Sequence, residues 1–356
     1  MRKIGVLTSG GDAPGMNAAI RSVVRMALSS GMEVCGIRRG YTGLITGQFE
    51  SMTARSVSDI LHRGGTILQS SRCPEFCKQE GVLKGIERAR KEGIEGIVVI
   101  GGDGSFRGAC ALSLAGMPTI GIPGTIDNDI TATDYTIGLD TSTNTTLRMI
   151  DNLKDTCESH ARLNVVEVMG RDCGQIALYA AIASGAVAVA IPEVPFDEEA
   201  AIKKIADLRE WGKRGMIVVV SEGVVNPDGS RFAEGFAKRI EEQTGVETKF
   251  ARFSHVVRGG RPTMRDRATA AHMGVRAVEL LAEGKSNVVM CELNGLIRPV
   301  DINFALIADR MYKNKLKDGD LDSFTPEQLE GMKQLCEKRR EEIENLYKVA
   351  GHVGFR

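Results

Sequence analysis

Short, almost continuously apolar runs alternate along the chain with longer stretches in which apolar residues recur every three or four positions. The runs have the length of β-strands, and the longer stretches have the period of amphipathic helices. Strands without a polar face are typical of parallel sheets that helices cover on both sides. The pattern therefore predicts an α/β protein with parallel-rich sheets. The predicted strands span residues 3–8, 33–37, 96–100, 118–122, 165–168, 187–191, 217–220 and 287–291. The predicted helices span residues 16–30, 82–92, 106–114, 140–160, 175–183, 198–211 and 266–282, and another begins at residue 326.

The composition is that of a folded globular protein. Of the 356 residues, 42% are hydrophobic and 26% are charged, which is too apolar for a disordered chain. At roughly 100–200 residues per domain, this length predicts two or three domains. Lys and Arg together number 46, as do Asp and Glu, so bulk charge gives no reason to expect binding to nucleic acid or to a membrane surface.

Several features predict a cytoplasmic protein. No run of 18 apolar residues is present, and the glycine-rich beginning is unlike a signal peptide. The eight cysteines are scattered, and Cys73 and Cys77 lack the second pair that a zinc site would need. We therefore expect reduced thiols. Near the end of the chain, the charge run at 337–342 is typical of a solvated helical face.

Glycine is the unusual residue, with 41 copies, and two glycine turns echo each other. Residues 9–12 (Ser-Gly-Gly-Asp) and 100–103 (Ile-Gly-Gly-Asp) each follow an apolar strand and precede a helix. Backbone N–H groups at such a helix start can receive phosphate oxygens, and ligands gather at the carboxyl ends of parallel strands. Many similar turns serve packing alone. Neither turn is a P-loop or a complete Gly-x-Gly-x-x-Gly fingerprint.

Carboxylates accompany these turns. Asp103 beside phosphates would need a cation, which suggests Mg²⁺; a helix N-cap is the alternative. The segment 121–129 follows a strand and places Asp127 and Asp129 around Asn128. One carboxylate could take a proton from an attacking hydroxyl while the other holds metal or orients its neighbour, or the segment could be a capped turn.

Charged residues also follow later strands. The arginines there are candidates for a second phosphate site, although each alone is more typical of a surface or salt-bridge arginine. Glu222 could accept hydrogen bonds from sugar hydroxyls or be an ordinary strand-end carboxylate. The arginines in question are Arg162, Arg171, Arg252, Arg258 and Arg261.

Taken together, five motifs resemble the 6-phosphofructokinase family, in order and at its spacing, over residues 1 to about 310. They are Gly10-Gly11-Asp12-Ala13-Pro14-Gly15-Met16-Asn17, Gly101-Gly102-Asp103-Gly104-Ser105, Pro123-Gly124-Thr125-Ile126-Asp127-Asn128-Asp129, Val166-Glu167-Val168-Met169-Gly170-Arg171, and His255 with Arg258-Gly259-Gly260.

The resemblance implies transfer of the γ-phosphoryl group of ATP to the 1-hydroxyl of fructose 6-phosphate. It implies that Asp127 is the base, that Thr125 and Asp129 support it, and that Gly11 and Arg171 stabilise the moving phosphoryl group. The implied metal is Mg²⁺, held by Asp103. The implied nucleotide contacts are Gly11, Tyr41, Arg72, Cys73, Gly102, Asp103, Gly104 and Ser105. The implied sugar-phosphate contacts are Thr125, Asp127, Arg162, Met169, Gly170, Arg171, Glu222, Lys249, His255 and Arg258.

The same resemblance bears on the phosphoryl donor. ATP users of the family carry glycine at two places where pyrophosphate users carry Asp and Lys. Here those places hold Gly104 and Gly124, so we expect ATP. A side chain at 104 would fill the space of the α-phosphate and nucleoside, and a lysine at 124 would add charge near the transferring phosphate.

Two departures from the family pattern concern affinity and regulation. Lys249 stands where the family usually has an arginine that reaches the sugar phosphate from a neighbouring subunit, and lysine lacks the two-pronged guanidinium. Arg252 could substitute for it. The implied effector site keeps positive charge at Arg21, Arg25, Lys154 and Lys213. Its other positions differ from the family, with Val187, Trp211 and Gly215.

The implied architecture is a homotetramer whose subunits have two Rossmann-like α/β domains with parallel-rich sheets and an active site in the interdomain cleft. We expect a nucleotide-binding domain at 1–138 plus about 257–307, a sugar-phosphate-binding domain at 139–256 plus about 308–324, and a helical extension at 325–356. Two other functional classes are a dinucleotide-binding oxidoreductase, for which the glycine fingerprint is incomplete, and a non-catalytic sensor, which the intact aspartates disfavour.

Overall fold

A computed structural model describes residues 1–354, which divide into two compact units. The first unit contains residues Met1–Ile126, Ile130–Asp140 and Arg258–Glu337. The second contains Asp127–Asp129, Thr141–Val257 and the chain from Lys338 onward. Each unit has its own sheet with helices packed against it, which confirms the predicted α/β class.

The first unit is built on a seven-stranded sheet in the order β11-β10-β5-β4-β1-β2-β3. All neighbours run parallel except the edge strands β3 and β11, which are antiparallel to β2 and β10. Its strands are β1 (Lys3–Thr8), β2 (Glu33–Ile37), β3 (Phe49–Met52), β4 (Gly96–Gly101), β5 (Thr119–Pro123), β10 (Val288–Leu293) and β11 (Leu296–Asp301). Its helices are α1 (Met16–Ser29), α2 (Gly40–Thr46), α3 (Gln79–Lys91), α4 (Asp103–Leu114), α9 (Met264–Ala282) and α10 (Ile302–Tyr312), with a 3₁₀ turn at Pro74–Cys77.

The second unit is built on a four-stranded parallel sheet in the order β7-β8-β6-β9. Its strands are β6 (Leu163–Val168), β7 (Ala188–Ala190), β8 (Met216–Ser221) and β9 (Thr248–Phe253). Its helices are α6 (Gln175–Ser184), α7 (Glu198–Glu210) and α8 (Phe232–Thr244). Two helices cross the boundary between the units along the chain, α5 (Leu139–His160) and α11 (Pro326–Val353), and a 3₁₀ turn, His255–Arg258, does the same.

Continuous burial explains the apolar strands. Every residue of β4 and of β8 is buried, because helices cover both faces of each sheet. The core of the first unit includes Leu7, Val99 and Phe106, and that of the second includes Val218 and Phe236. Full burial of such a side chain contributes about 1.5–3 kcal/mol. Among the described residues, no helix is long and apolar enough to cross a membrane.

All the predicted strands and helices are present, but α3 begins at Gln79 rather than at 82, and the start of α4 was also predicted wrongly. This helix begins at Asp103 rather than at 106, because the amides of Ser105 and Phe106 already bond to the carbonyl of Gly102. The strands and helices that the sequence did not predict are the edge strands β3, β9 and β11 and the helices α2, α8 and α10. Strand β9 has exposed residues at its centre, and β11 is a largely exposed edge strand that contains Pro299.

The prediction for the C-terminal charge run was also wrong in one respect. Helix α11 buries Met332, Cys336 and Ile343, and within the charge run it buries Arg339. The other residues of the run, apart from the half-buried Glu342, are exposed as expected. The helix therefore has a packed face that includes a charged side chain.

Candidate active site

Three turns of the first unit leave the carboxyl ends of neighbouring parallel strands. The register pairs Thr8 of β1 with Ile100 of β4, and Gly101 of β4 with Pro123 of β5. Backbone hydrogen bonds join the turns. Ser9 N donates to the carbonyl of Ile100 (3.0 Å), and Gly124 N donates to the carbonyl of Gly101 (3.0 Å). The structure thus brings both glycine turns and Thr125 to one edge of one sheet, where ligands of open α/β sheets bind.

The two glycine turns are packed against each other through Ser105. A β-carbon at Gly101 would overlap the Ser105 side chain, and one at Gly10 would stand 3.3 Å from its hydroxyl oxygen. Gly10 also has φ +83°, a conformation that favours glycine. The Ser105 hydroxyl is buried with no protein hydrogen-bond partner. Because buried hydroxyls normally have a partner, this oxygen is available to a ligand at the turns.

Asp103 is not the N-cap of helix α4. Gly102 occupies that position, and Asp103 is the first helical residue, paired with Arg107 one turn later. Among residues 1–354, no group of three or more His, Cys, Asp or Glu side chains could bind a metal on its own. Mg²⁺ commonly needs only one or two carboxylates when phosphate oxygens and water complete its shell. The partly exposed Asp103 carboxylate beside the glycine turns fits that kind of site.

The two glycines implicated in donor choice differ in their surroundings. A β-carbon at Gly104 would meet nothing within 4 Å, so open space lies in front of this residue. A β-carbon at Gly124 would stand 3.2 Å from both Ile100 and Met16. A side chain at 124 would therefore be tightly packed, whereas packing does not require the glycine at 104.

Around these turns, Tyr41 belongs to the core. Its ring stacks on Phe76 with centroids 4.1 Å apart, and its hydroxyl donates to the carbonyl of Ser105. Burial raises the pKa of Tyr41 far above its ordinary value. In contrast, Arg72 is exposed and Cys73 is half-buried. Their loop contacts the first turn, because Ser70 donates to the carbonyl of Gly10 (2.6 Å).

Arg258 lies at the first glycine turn. A β-carbon at Gly11 would overlap its guanidinium, and its Nη1 donates to the carbonyl of Asp12 (3.3 Å). Its Nε is buried and has no protein partner. The sequence did not predict this contact between the last motif and the first.

In the second unit, Asp127 is a buried carboxylate beside an exposed arginine. The side chain of Asp127 is 3% exposed and that of Arg171 is 66% exposed, and Arg171 Nε lies 3.7 Å from Asp127 Oδ2. Arg171 has φ +53° and follows Gly170 at φ +143°. A β-carbon at Gly170 would overlap the carbonyl of Cys173, so glycine is required there.

Glu222 holds this turn in shape. Its Oε1 accepts hydrogen bonds from the amides of Gly170 (3.3 Å) and Arg171 (3.2 Å). The carboxylate thus fixes the backbone that carries Arg171, and its other oxygen can still accept from a ligand. Met169 is buried next to this turn.

Arg162 and Lys249 meet at one carboxylate that the sequence did not single out. Glu247 accepts from Arg162 Nε at Oε2 (2.6 Å) and pairs with Lys249 Nζ at Oε1 (3.0 Å). These two cations lower the pKa of Glu247. The strand register explains the meeting, because β6 and β9 are parallel neighbours that pair Asn164 with Lys249.

A second basic pair surrounds the buried Glu167. Its Oε1 accepts from Arg231 Nη1 and from Arg252 Nε, both at 2.6 Å. Arg252 is thus engaged with Glu167 and not with Glu247, and Arg231 was not identified from the sequence. His255 is exposed, with its Nδ1 3.0 Å from the hydroxyl of Ser254.

The four implied effector residues form two like-charge pairs, one in each unit. Burial and then the charge of Arg25 lower the pKa of Arg21 on α1. Burial and then the charge of Lys154 lower the pKa of Lys213. Like charges held together are a feature of anion sites.

Comparison with known proteins identifies the family. The model of a family described as "Phosphofructokinase" matches residues 3–281. The chain is 52% identical over 316 residues to an ATP-dependent 6-phosphofructokinase 1 of Clostridium perfringens, covering 89% of this chain and 97% of the relative. It is 51% identical over 318 residues to an ATP-dependent 6-phosphofructokinase of Clostridium acetobutylicum, covering 89% and 98%. The chain therefore belongs to the phosphofructokinase family.

Solved structures agree with this assignment. A phosphofructokinase structure from Saccharomyces cerevisiae shares 31% identity at a TM-score of 0.82 over 90% of this chain, which spans about half (48%) of that chain's length. A pyrophosphate-dependent phosphofructokinase from Marinobacter aquaeolei has a TM-score of 0.74 at 24% identity, covering 85% and 83% of the two chains. At that identity, the second likeness concerns the fold alone.

Proposed function

We propose that this protein is a 6-phosphofructokinase that transfers the γ-phosphoryl group of ATP to the 1-hydroxyl of D-fructose 6-phosphate, yielding fructose 1,6-bisphosphate. The observation that carries the proposal is the meeting of two glycine turns at the ends of β1 and β4, with a buried, unpartnered Ser105 hydroxyl between them. The names of the Clostridium relatives support both the reaction and ATP as the donor.

In this proposal the first unit binds the nucleotide. The amides of Gly11 and Gly102–Ser105 receive the phosphates at the positive ends of α1 and α4. The open space at Gly104 supports a donor larger than pyrophosphate. Arg72 and Cys73 border the nucleotide, and Tyr41 contributes by supporting the Ser105 backbone.

Asp103 would hold Mg²⁺, which supplies charge neutralisation at the phosphate oxygens when bound. The partial positive charge of the helix start alone does not neutralise a triphosphate, so a cation is needed as well. An acidic residue at the turn would hold that cation.

The second unit supplies the base and most of the sugar contacts. Asp127 takes the proton of the 1-hydroxyl, and Thr125 and Asp129 position that centre. Arg171 and Gly11 stabilise charge on the phosphoryl group as it moves, since phosphoryl transfer depends on positioning and electrostatics. Because Arg171 Nε is 3.7 Å from the Asp127 carboxylate, its charge favours the ionised form that a base needs.

The sugar phosphate would be held by Arg162 and Lys249, whose shared partner Glu247 keeps them side by side. Met169, Gly170, Glu222, His255 and Arg258 complete the proposed contacts. The free oxygen of Glu222 suits a sugar hydroxyl, and the buried Nε of Arg258 can donate to an anion.

This proposal also includes a homotetramer, a cytoplasmic location and an anionic effector bound at Arg21, Arg25, Lys154 and Lys213. They are expected from the family resemblance, and the like-charge pairs support only the effector site. No role in nucleic-acid or membrane binding is proposed, in keeping with the zero net charge.

A coupled assay with the purified full chain tests the proposed reaction. ATP, Mg²⁺ and fructose 6-phosphate are supplied, and formation of fructose 1,6-bisphosphate is measured. We expect turnover that stops when Mg²⁺ is chelated. Turnover with pyrophosphate but not with ATP would contradict the donor assignment, and no turnover with either donor would contradict the reaction.

A further inference from the structure

Helix α11 carries one arginine that is buried while its sequence neighbours are exposed. Arg339 is 6% exposed, whereas Lys338 and Arg340 are exposed. Burying a guanidinium is costly unless it is paired and hydrogen-bonded. Both of its terminal nitrogens have partners, and one of these partners lies in the segment that carries the proposed base.

The partners of Arg339 form a closed ring of four residues. Arg339 Nη2 donates to the backbone carbonyl of Asn128, and its Nη1 donates to Glu342 Oε2 (3.1 Å). The other oxygen of Glu342 accepts from Gln175 Nε2 (3.1 Å). Gln175 Oε1 in turn accepts from the side-chain amide of Asn128. A planar guanidinium can serve two acceptors at fixed angles, which a lysine cannot do.

The ring forms hydrogen bonds with both the backbone and the side chain of Asn128. Asn128 is fully buried and has φ 49°, in the left-handed region that L residues seldom adopt. It stands between Asp127 and Asp129, so the orientation of its peptide groups determines where both carboxylates point. Cys173 Sγ adds a weaker contact to the same carbonyl (3.8 Å).

We propose that Arg339 is a positioning residue for phosphoryl transfer, through which the C-terminal helix holds the Asp127–Asp129 segment in its working conformation. This inference rests on the proposed function, in which Asp127 is the base. A misplacement of about 1 Å at a reacting group can cost about 10²-fold in rate. The C-terminal extension is then part of the catalytic apparatus and not a solvated tail.

The decisive variant is Arg339→Lys, which keeps the charge and the aliphatic stem but loses the two-pronged geometry. We expect kcat to fall by about tenfold to 10²-fold, with KM for ATP unchanged. Lys348→Ala is the control, because it removes a positive charge from an exposed position of the same helix. Its kcat should equal that of the unaltered chain.

A second variant separates positioning from folding. Arg339→Ala leaves space for a small cation, so millimolar guanidinium should restore part of its kcat. A loss of kcat that came only from unfolding would not be restored in this way. Thermal unfolding of each variant is measured alongside. If Arg339→Ala does not fold, Glu342→Gln is tested in its place. This substitution weakens the hydrogen bond between Arg339 and residue 342 by removing the negative charge of the acceptor, and kcat should fall as well.

The outcomes distinguish the two proposals. An unaltered chain that does not phosphorylate fructose 6-phosphate contradicts the proposed function. An active unaltered chain whose Arg339→Lys variant keeps full kcat overturns the positioning role. A loss of kcat that follows only the loss of folded protein, without rescue by guanidinium, also overturns it.

Discussion

Arg171 Nε lies 3.7 Å from Oδ2 of Asp127, an exposed cation beside a carboxylate that is almost fully buried. Burial disfavours the charged form of an aspartate, and a neighbouring positive charge favours it. In the proposed reaction, the charge of Arg171 would favour the ionised form of Asp127 that a base needs. In the proposed reaction, the exposed Arg171 side chain would also stabilise the developing charge on the phosphoryl group.

This relationship makes Asp127→Asn the first substitution to test. The amide is nearly the same size but cannot accept the hydroxyl proton. We expect kcat to fall by about 10²–10⁴-fold, with little change in nucleotide binding. Asp151→Asn, at an exposed position of α5, is the matched control and should leave kcat unchanged. Full turnover by Asp127→Asn would favour a non-catalytic role for this residue.

Gly104→Asp tests the donor assignment. The site has room for the side chain, since nothing lies within 4 Å of its β-carbon, so the fold should survive. The new carboxylate would face the phosphates, and we expect KM for ATP to rise by about tenfold or more. Gly351→Asp, also in open space, is the control. An unchanged KM for ATP would mean that the donor does not pass in front of residue 104.

Lys249→Arg tests the sugar-phosphate site. Arginine can bind phosphate with two parallel hydrogen bonds, and the position beside Glu247 also suits it. We expect KM for fructose 6-phosphate to fall by about two- to tenfold, since one added hydrogen bond is worth about 1 kcal/mol. Lys203→Arg, on the exposed side of α7, should change nothing. A raised KM would indicate that the lysine is specifically required.

Thiol labelling tests where the nucleotide binds. Burial raises the pKa of Cys35 to about 11 and that of Cys173 to about 12, so these thiols stay protonated and unreactive near pH 8. A bulky reagent should reach the exposed Cys77 and the half-buried Cys73. We expect ATP with Mg²⁺ to slow the labelling of Cys73 but not that of Cys77. The variants Cys73→Ser and Cys77→Ser identify the two signals, and equal labelling with and without ATP would exclude Cys73 from the nucleotide site.

The sequence predicted the elements around the glycine turns because their signals are local. Strand β4 consists of six buried residues and is followed by Gly102. Such a short apolar run before a glycine is typical of a strand that helices cover on both faces. Strands β9 and β11 lie at sheet edges with exposed residues, so their apolar signal is weak. Short helix α2 contains two glycines in seven residues, which hides its periodicity.

The ion pairs could not be predicted in the same way. Glu247 links Arg162 to Lys249 because β6 and β9 are neighbours in the sheet, and strand order is not visible in the sequence. Arg339 reaches Asn128 across 211 positions of sequence, so its charge run looked like a solvated surface. The motif residues themselves were recognised from their spacing, whereas the residues that hold them became visible only in three dimensions.

A crystal structure with a non-hydrolysable ATP analogue, Mg²⁺ and fructose 6-phosphate would test the central claim most directly. The account predicts phosphates on the amides of Gly11 and Gly102–Ser105, and the sugar 1-hydroxyl within hydrogen-bond distance of the Asp127 carboxylate. A nucleotide bound away from the glycine turns, or a sugar whose 1-hydroxyl lies far from Asp127, would contradict it.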